Sequence, residues 1–158
     1  MTEKEFNNCV DSFADNVYRF LLKHTKDVDF AKDVVQETFT RLWEKRDDVD
    51  FFKSKSYIFA TAYHKLIDDI RHNAFTVYEF KVEREISHNY SDLKDILNMA
   101  LETLPQIQRS AILLRDYEGY SYDEIGDILN LSQQQVKVYI FRARTTLKTY
   151  IGSIDNII

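Results

Sequence analysis

Apolar residues recur at helical spacing along most of the chain. Phe6, Val10, Phe13, Val17, Phe20 or Leu21, and His24 predict a first helix from about Glu3 to His24. Asp27-Val28-Asp29 supplies a break and a cap. A second helix then runs from about Phe30 to Lys45. Its apolar stripe is Ala31, Val34, Val35, Phe39, Leu42 and Trp43, and its polar face is Asp33, Gln36, Glu37, Thr40, Arg41 and Glu44. A polar stretch leads to a third helix, about Lys55 to Arg71, carrying Tyr57, Ile58, Phe59, Tyr63, Leu66, Ile67 and Ile70. Periodicity then fails until about Tyr90. A fourth helix is expected over about Ser91 to Leu104, and a fifth over about Pro105 to Tyr117, with the proline suited to a first helical position. The last helix should end near Tyr150, leaving a loose tail, Ile151 to Ile158.

The stretch from Ser121 to Arg144 holds two helix starts in succession. Ser121 with Glu124, and Ser132 with Gln135, have the spacing of capping boxes. Asn130 between them tolerates a left-handed backbone. Gly126 lets the two helices approach closely, and Val136 can seal the contact. These intervals describe a helix-turn-helix. Its second helix offers Gln133, Gln134, Lys137, Tyr139 and Arg142 outward, groups that bond base edges and phosphates. The fold class is therefore all-α: two small helical domains, 1–73 and 91–158, joined by a flexible linker at 74–90, the second containing the helix-turn-helix.

A net charge of −5 at first opposes DNA binding. The charge is unevenly spread, however. Four basic residues outnumber two acidic ones between 51 and 73, and four outnumber one from 131 to 158. Two basic islands lie in an acidic background, so the chain alone should hold DNA weakly and gain from a partner already on DNA. The single cysteine, Cys9, cannot form an internal disulfide and suits a reducing, cytoplasmic setting. No secretory segment or membrane-length apolar run is present.

Catalytic chemistry finds no constellation. His24, His64, His72 and His88 have no partner at metal-ligand spacing, and there is no glycine-rich phosphate loop. Asp68 and Asp69 adjoin on a helix and point about 100° apart. Neither a metal nor a cofactor is expected.

Three separated segments resemble one family. Asp33-Val-Val-Gln36-Glu37-Thr-Phe39-Thr-Arg41-Leu42-Trp43 is similar to the D-x-x-Q-E-x-F-x-x-L-W run of bacterial sigma factors. Tyr57 through Arg71 looks like the part of sigma region 2 that faces the −10 promoter element. Leu101-x-x-Leu104-Pro105, Glu118-Gly119-Tyr120-Ser121-Tyr122-x-Glu124-Ile125, Val136-Lys137 and Arg142-Ala143-Arg144 resemble region 4. Length and a bare connection between the regions match the extracytoplasmic-function (ECF) group.

The resemblance implies a role for each part. Asp33, Gln36, Glu37 and Arg41 would dock on the clamp helices of the RNA polymerase β′ subunit, and the second domain would meet the β flap. Lys53, Lys55, Ser56, His64, Lys65 and Arg71 would face the −10 element, where the family holds a base pulled from the stack. His64 stands where the family usually has asparagine, and Tyr57 where it often has tryptophan. Tyr57, Phe59 and Tyr63, at helical spacing, suit the core. At the −35 element, Gln134, Lys137, Val138, Phe141 and Arg142 would contact bases, with Gln133 and Arg144 on phosphates. Gln135 replaces a frequent family threonine and serves the cap. An anti-sigma protein, often membrane-bound, is the other implied partner. Two readings compete: a dimeric helix-turn-helix regulator, which leaves residues 1–73 unexplained, and a helical adaptor, which leaves the second basic island without purpose.

Overall fold

The computed structural model of the chain describes residues 1–74 and 93–155. Among them every regular element is helical. Helix α1 (Glu3–Thr25) starts at a capping box that periodicity alone does not show: the Thr2 hydroxyl accepts from the Glu5 amide, and the Glu5 carboxylate accepts from the Thr2 amide. It ends at Lys26 in the left-handed region. The Asp27 carboxylate then accepts from the Phe30 amide and opens α2 (Val28–Glu44), two residues earlier than the stripe suggested. Asp50 caps a 3-10 turn, Phe51–Lys53, that runs into α3 (Ser54–Ala74).

These three helices enclose Val17, Phe20, Leu21, Ala31, Val34, Leu42, Ile58, Phe59, Ala62 and Leu66. Each large apolar side chain so buried contributes about 1.5–3 kcal/mol. Phe59 and Tyr63 are core, as expected, and Phe20 meets Phe59 edge-on at 5.9 Å. Trp43 departs from its stripe. It is 37% exposed, with the Arg46 guanidinium 4.0 Å over its ring.

The second module comprises α4 (Leu93–Glu102), α5 (Gln106–Ile112), α6 (Tyr122–Leu129) and α7 (Gln133–Asp155). Pro105 is the N-cap of α5 rather than its first residue. The expected single helix to Tyr117 is divided: α5 gives way to a π turn, Leu113–Tyr117, where the Glu118 amide donates to the Leu113 carbonyl at 3.1 Å. Helix α7 continues to Asp155, so residues 151–155 are helical and not a loose tail. The connection expected at 74–90 lies, beyond Ala74, outside the described residues.

The two modules pack against each other, α3 on α6 and α1 on α5. Phe59 and Tyr120 meet edge-on at 5.1 Å across this seam. The His24 ring reaches the Ser110 hydroxyl at 3.1 Å. Tyr120 gets there because the chain turns back at Gly119, left-handed at φ 74° just beyond the π turn: the Tyr120 amide donates to the Leu114 carbonyl at 3.0 Å, and Arg115 donates to the Tyr120 carbonyl at 2.9 Å.

Candidate nucleic-acid interface

The helix-turn-helix is built as its spacing predicts. Ser121 and Glu124 form one capping box, Ser132 and Gln135 another. Asn130 sits at φ 56°, ψ 51° and turns the chain between α6 and α7. Gly126 lies so close to the turn that a Cβ there would stand 2.7 Å from the Leu131 carbonyl oxygen. Val136, Ile140 and Ala143 are buried and fix the roll of α7 about its axis. That roll turns Gln133, Gln134, Lys137, Val138, Phe141, Arg142 and Arg144 to solvent. Gln134, Lys137, Val138, Phe141 and Arg142 recur at three- and four-residue steps, so they line one face. Phe141 is 71% exposed, an unusual place for a phenyl ring that has no outside partner.

Arg144 is differently placed from the others. Its Nε and terminal nitrogen donate to both Asp116 carboxylate oxygens, at 3.0 and 2.5 Å, and this bond raises its already high pKa. It ties α7 to the π turn rather than hanging free. Tyr139, expected outward, is half-buried.

On the first module, Lys53, His64 and Arg71 are exposed, while Ser56 is partly buried. His64 and Arg71 stand seven residues apart and share a face of α3. Two other candidates are engaged inside the protein. Lys65 pairs with Glu37 at 2.7 Å, and Lys55 pairs with Glu124 of the second module. Phe52, absent from the sequence-derived set, is 90% exposed on the turn between Asp50 and Lys53. Its signal was readable as an aromatic residue outside any helical period.

The docking candidates Asp33, Gln36 and Arg41 lie on the open face of α2. Glu37 is held between Arg41 at 3.4 Å and Lys65. Beside them an apolar hollow of about 440 Å³ is lined by Phe6, Val10, Val35, Phe39 and Trp43, with Gln36 and Thr40 at its polar side. Carboxylates flanking an apolar hollow suit a protein partner with arginines around an apolar anchor. Among the described residues no group of acidic, histidine or cysteine side chains could hold a metal ion, and no helix is long and apolar enough to cross a membrane.

Residues 9–76 match the family model for sigma-70 region 2, and residues 94–147 match that for sigma-70 region 4. The ECF RNA polymerase sigma factor SigM of Bacillus subtilis is 31% identical over 144 residues, which span 86% of this chain and 88% of SigM. The chain is an ECF sigma factor. SigW of Bacillus subtilis is 26% identical over 90% of this chain and 87% of its own. Among solved structures, the sigma factor RpoE of Bartonella quintana, crystallised with the anti-sigma factor NepR, has a TM-score of 0.78 at 23% identity and covers 94% of this chain and 98% of its own. A sigma factor is a non-catalytic specificity subunit: it binds core RNA polymerase and directs initiation at promoters, with region 2 on the −10 element and region 4 on the −35 element. In this sigma factor the two regions are the two modules described above.

Proposed function

We propose that initiation divides among the named residues as follows. The first module, within residues 1–73, docks on the β′ clamp helices through Asp33, Gln36, Glu37 and Arg41. Lys53, Lys55, Ser56, His64, Lys65 and Arg71 then face the −10 element. The second module, residues 91–158, seats α7 in the major groove of the −35 element and rests on the β flap. Gln134, Lys137, Val138, Phe141 and Arg142 read bases there, while Gln133 and Arg144 lie nearest the phosphates. The observation that carries this reading is the exposed face of α7, where an amide, two cations and two apolar side chains stand at helical steps. Arg144 would give up part of its Asp116 pairing to reach a phosphate.

The polymerase supplies both grip and chemistry, which explains how an acidic chain can serve at DNA. Extruding a −10 base costs a few kcal/mol, and polar groups beside aromatic surface offset it. The factor acts in the cytoplasm, where the polymerase is, and an anti-sigma protein holds it inactive. Co-migration with core polymerase on size exclusion, followed by run-off transcription on genomic fragments, tests the reading. A purified chain that ignores the polymerase, yet binds a symmetric operator tightly as a dimer, overturns it.

A further inference from the structure

The cleft between the end of α1 and the start of α4 gathers four cations that the promoter and polymerase contacts leave unused. Arg19, Lys23 and Lys26 follow one another at four- and three-residue steps, so they share one edge of α1 and its cap. Lys94, the second residue of α4, lines the same cavity from the second module. The cavity holds about 500 Å³, room for a small molecule. Like charges four residues apart on a helix repel, so the fold itself gains nothing by collecting them.

Acidic neighbours balance part of this charge. Glu118 lies 3.6 Å from Arg19, and Glu102 pairs with Lys26; neither carboxylate lines the cavity. Lys23 rests its ammonium over the Tyr117 ring at 4.7 Å instead of on a carboxylate. Burial first, then the charges of Lys94 and Arg19, lower the Lys23 pKa; Glu118 opposes them and counts for less than either. The field at Lys23 is therefore positive. Val28 and Lys94 lie in the first turns of α2 and α4, so the positive ends of two helices border the cavity as well. Leu22 and Val28 give it an apolar wall, and Asn98 adds an amide that can donate and accept.

We propose that this cleft binds a small anion of linked phosphates, clasped by Lys23 and Lys94 from the two modules. A chain of phosphates carries enough charge and length to answer several cations at once, and lysine meets phosphate as a compact point charge. The chain can be free, as in inorganic tripolyphosphate, or part of a nucleoside triphosphate whose organic end lies on Leu22 and Val28. Binding relieves the repulsion among Arg19, Lys23 and Lys94, and because these groups are partly exposed, salt weakens it. None of the residues assigned to the −10 or −35 element takes part.

Calorimetric titration of the full chain at low salt, without divalent cations, tests this with inorganic tripolyphosphate and with adenosine triphosphate. Tripolyphosphate should bind at a single site. Lys23→Gln with Lys94→Gln should weaken it about tenfold, the scale of two partly exposed charge contacts. Lys4→Gln with Lys45→Gln makes the same change in net charge at exposed positions, one in the first turn of α1 and one at the end of α2, away from the cleft. That control should bind as the parent does. Lys23→Arg with Lys94→Arg keeps both charges and should keep binding; loss there overturns recognition by charge. Tighter binding of adenosine triphosphate than of tripolyphosphate assigns the cleft to nucleotides, and equal binding assigns it to the phosphate chain alone. No binding of either probe overturns the proposal. Equal weakening in the Lys4 and Lys45 control reduces the effect to net charge and overturns it too. Displacement of tripolyphosphate by a short single-stranded oligonucleotide, with the same dependence on Lys23 and Lys94, gives the cleft to nucleic acid and removes the small ligand.

Discussion

Gly126 and Leu131 hold each other across the turn of the helix-turn-helix. The Leu131 amide donates to the Gly126 carbonyl at 2.9 Å, and the Leu131 carbonyl oxygen closes over the place where a Cβ would be, at 2.7 Å. The obstacle is backbone, which cannot swing aside as a side chain does. Gly126→Ala should therefore force α6 and α7 apart and cost about 1–3 kcal/mol by overpacking. Gly119 provides the contrast. Its backbone is left-handed at φ 74°, but a Cβ there would meet nothing within 4 Å. Gly119→Asn should cost less than Gly126→Asn, since asparagine tolerates that backbone. Urea denaturation of the three variants checks the order. Equal loss at both glycines would reject close approach as the reason for Gly126.

The His24–Ser110 contact makes the native packing sensitive to acid. Ser110 Oγ lies 2.9 Å from the Gln106 carbonyl and 3.1 Å from His24 Nε2, and its one proton serves the shorter bond. Nε2 is then the donor, and Nδ1 is the bare nitrogen, enclosed without a partner. Burial first, and then the nearby Arg109 guanidinium, lower the His24 pKa from 6.5 to about 3. Both states are neutral above pH 6.5, so nothing is lost there. Below it the unfolded chain takes a proton that the folded chain refuses, and stability falls as pH falls until about pH 3. Between pH 7 and pH 5 the loss should be about 2 kcal/mol. His24→Gln, which keeps a polar group for Ser110, should flatten that part of the profile. An equal slope in the variant would assign the acid sensitivity to other groups.

Much of this was legible in the sequence, for identifiable reasons. Helices with one buried face write their period into the chain, and the two capping boxes of the helix-turn-helix depend only on residues three apart. The buried set Val136, Ile140 and the exposed set Lys137, Phe141 follow from the same period. The π turn at Leu113–Tyr117 left no such trace, because one extra residue per turn shifts the apolar phase without breaking it. The seam was invisible for a different reason. It joins Phe59 to Tyr120 and Lys55 to Glu124, contacts between surfaces whose residues would be ordinary in either module alone. Arg144 was placed on DNA by its neighbours in the motif, and only the fold reveals Asp116 opposite it.

That pairing separates Arg144 from Lys137 and Arg142, the two cations on the outward face of α7. Arg144 and Asp116 are partly exposed, so the pair should contribute at most about 1 kcal/mol. Arg142→Ala should leave stability within about 0.5 kcal/mol, since the residue is exposed. On a promoter dependent on its −35 element, Arg142→Ala should relax discrimination at one position and nearly keep the salt slope of holoenzyme binding, as expected of a base contact. A slope reduced by about 1 with discrimination kept would move Arg142 to a phosphate. Asp116→Asn should lower the melting temperature slightly and leave promoter choice unaltered. A changed promoter preference in Asp116→Asn would show that Arg144 is aimed at bases through that carboxylate.

Phe141 and Lys137 should differ in what they contribute at the −35 element. The Phe141 ring is mostly in water, so its removal costs the fold little. In a major groove the same ring can lie on the C5-methyl of thymine, which distinguishes that base from cytosine. Lys137 sits one helical turn away, with its ammonium 5.5 Å from the Tyr122 ring. A compact charge on a flexible stem reads a phosphate or a guanine edge and does not distinguish thymine from cytosine by shape. Phe141→Ala should therefore lower transcription most on templates carrying thymine at one −35 position, by about 1 kcal/mol in discrimination, the scale of one buried methyl, with a smaller effect where cytosine replaces it. Lys137→Ala should lower transcription on both templates alike, since the base edge it suits is that of a guanine at another position. Run-off transcription across a set of single-base −35 templates measures both. If Phe141→Ala lowers every template by the same factor, the ring supports the helix or the polymerase and does not read the groove.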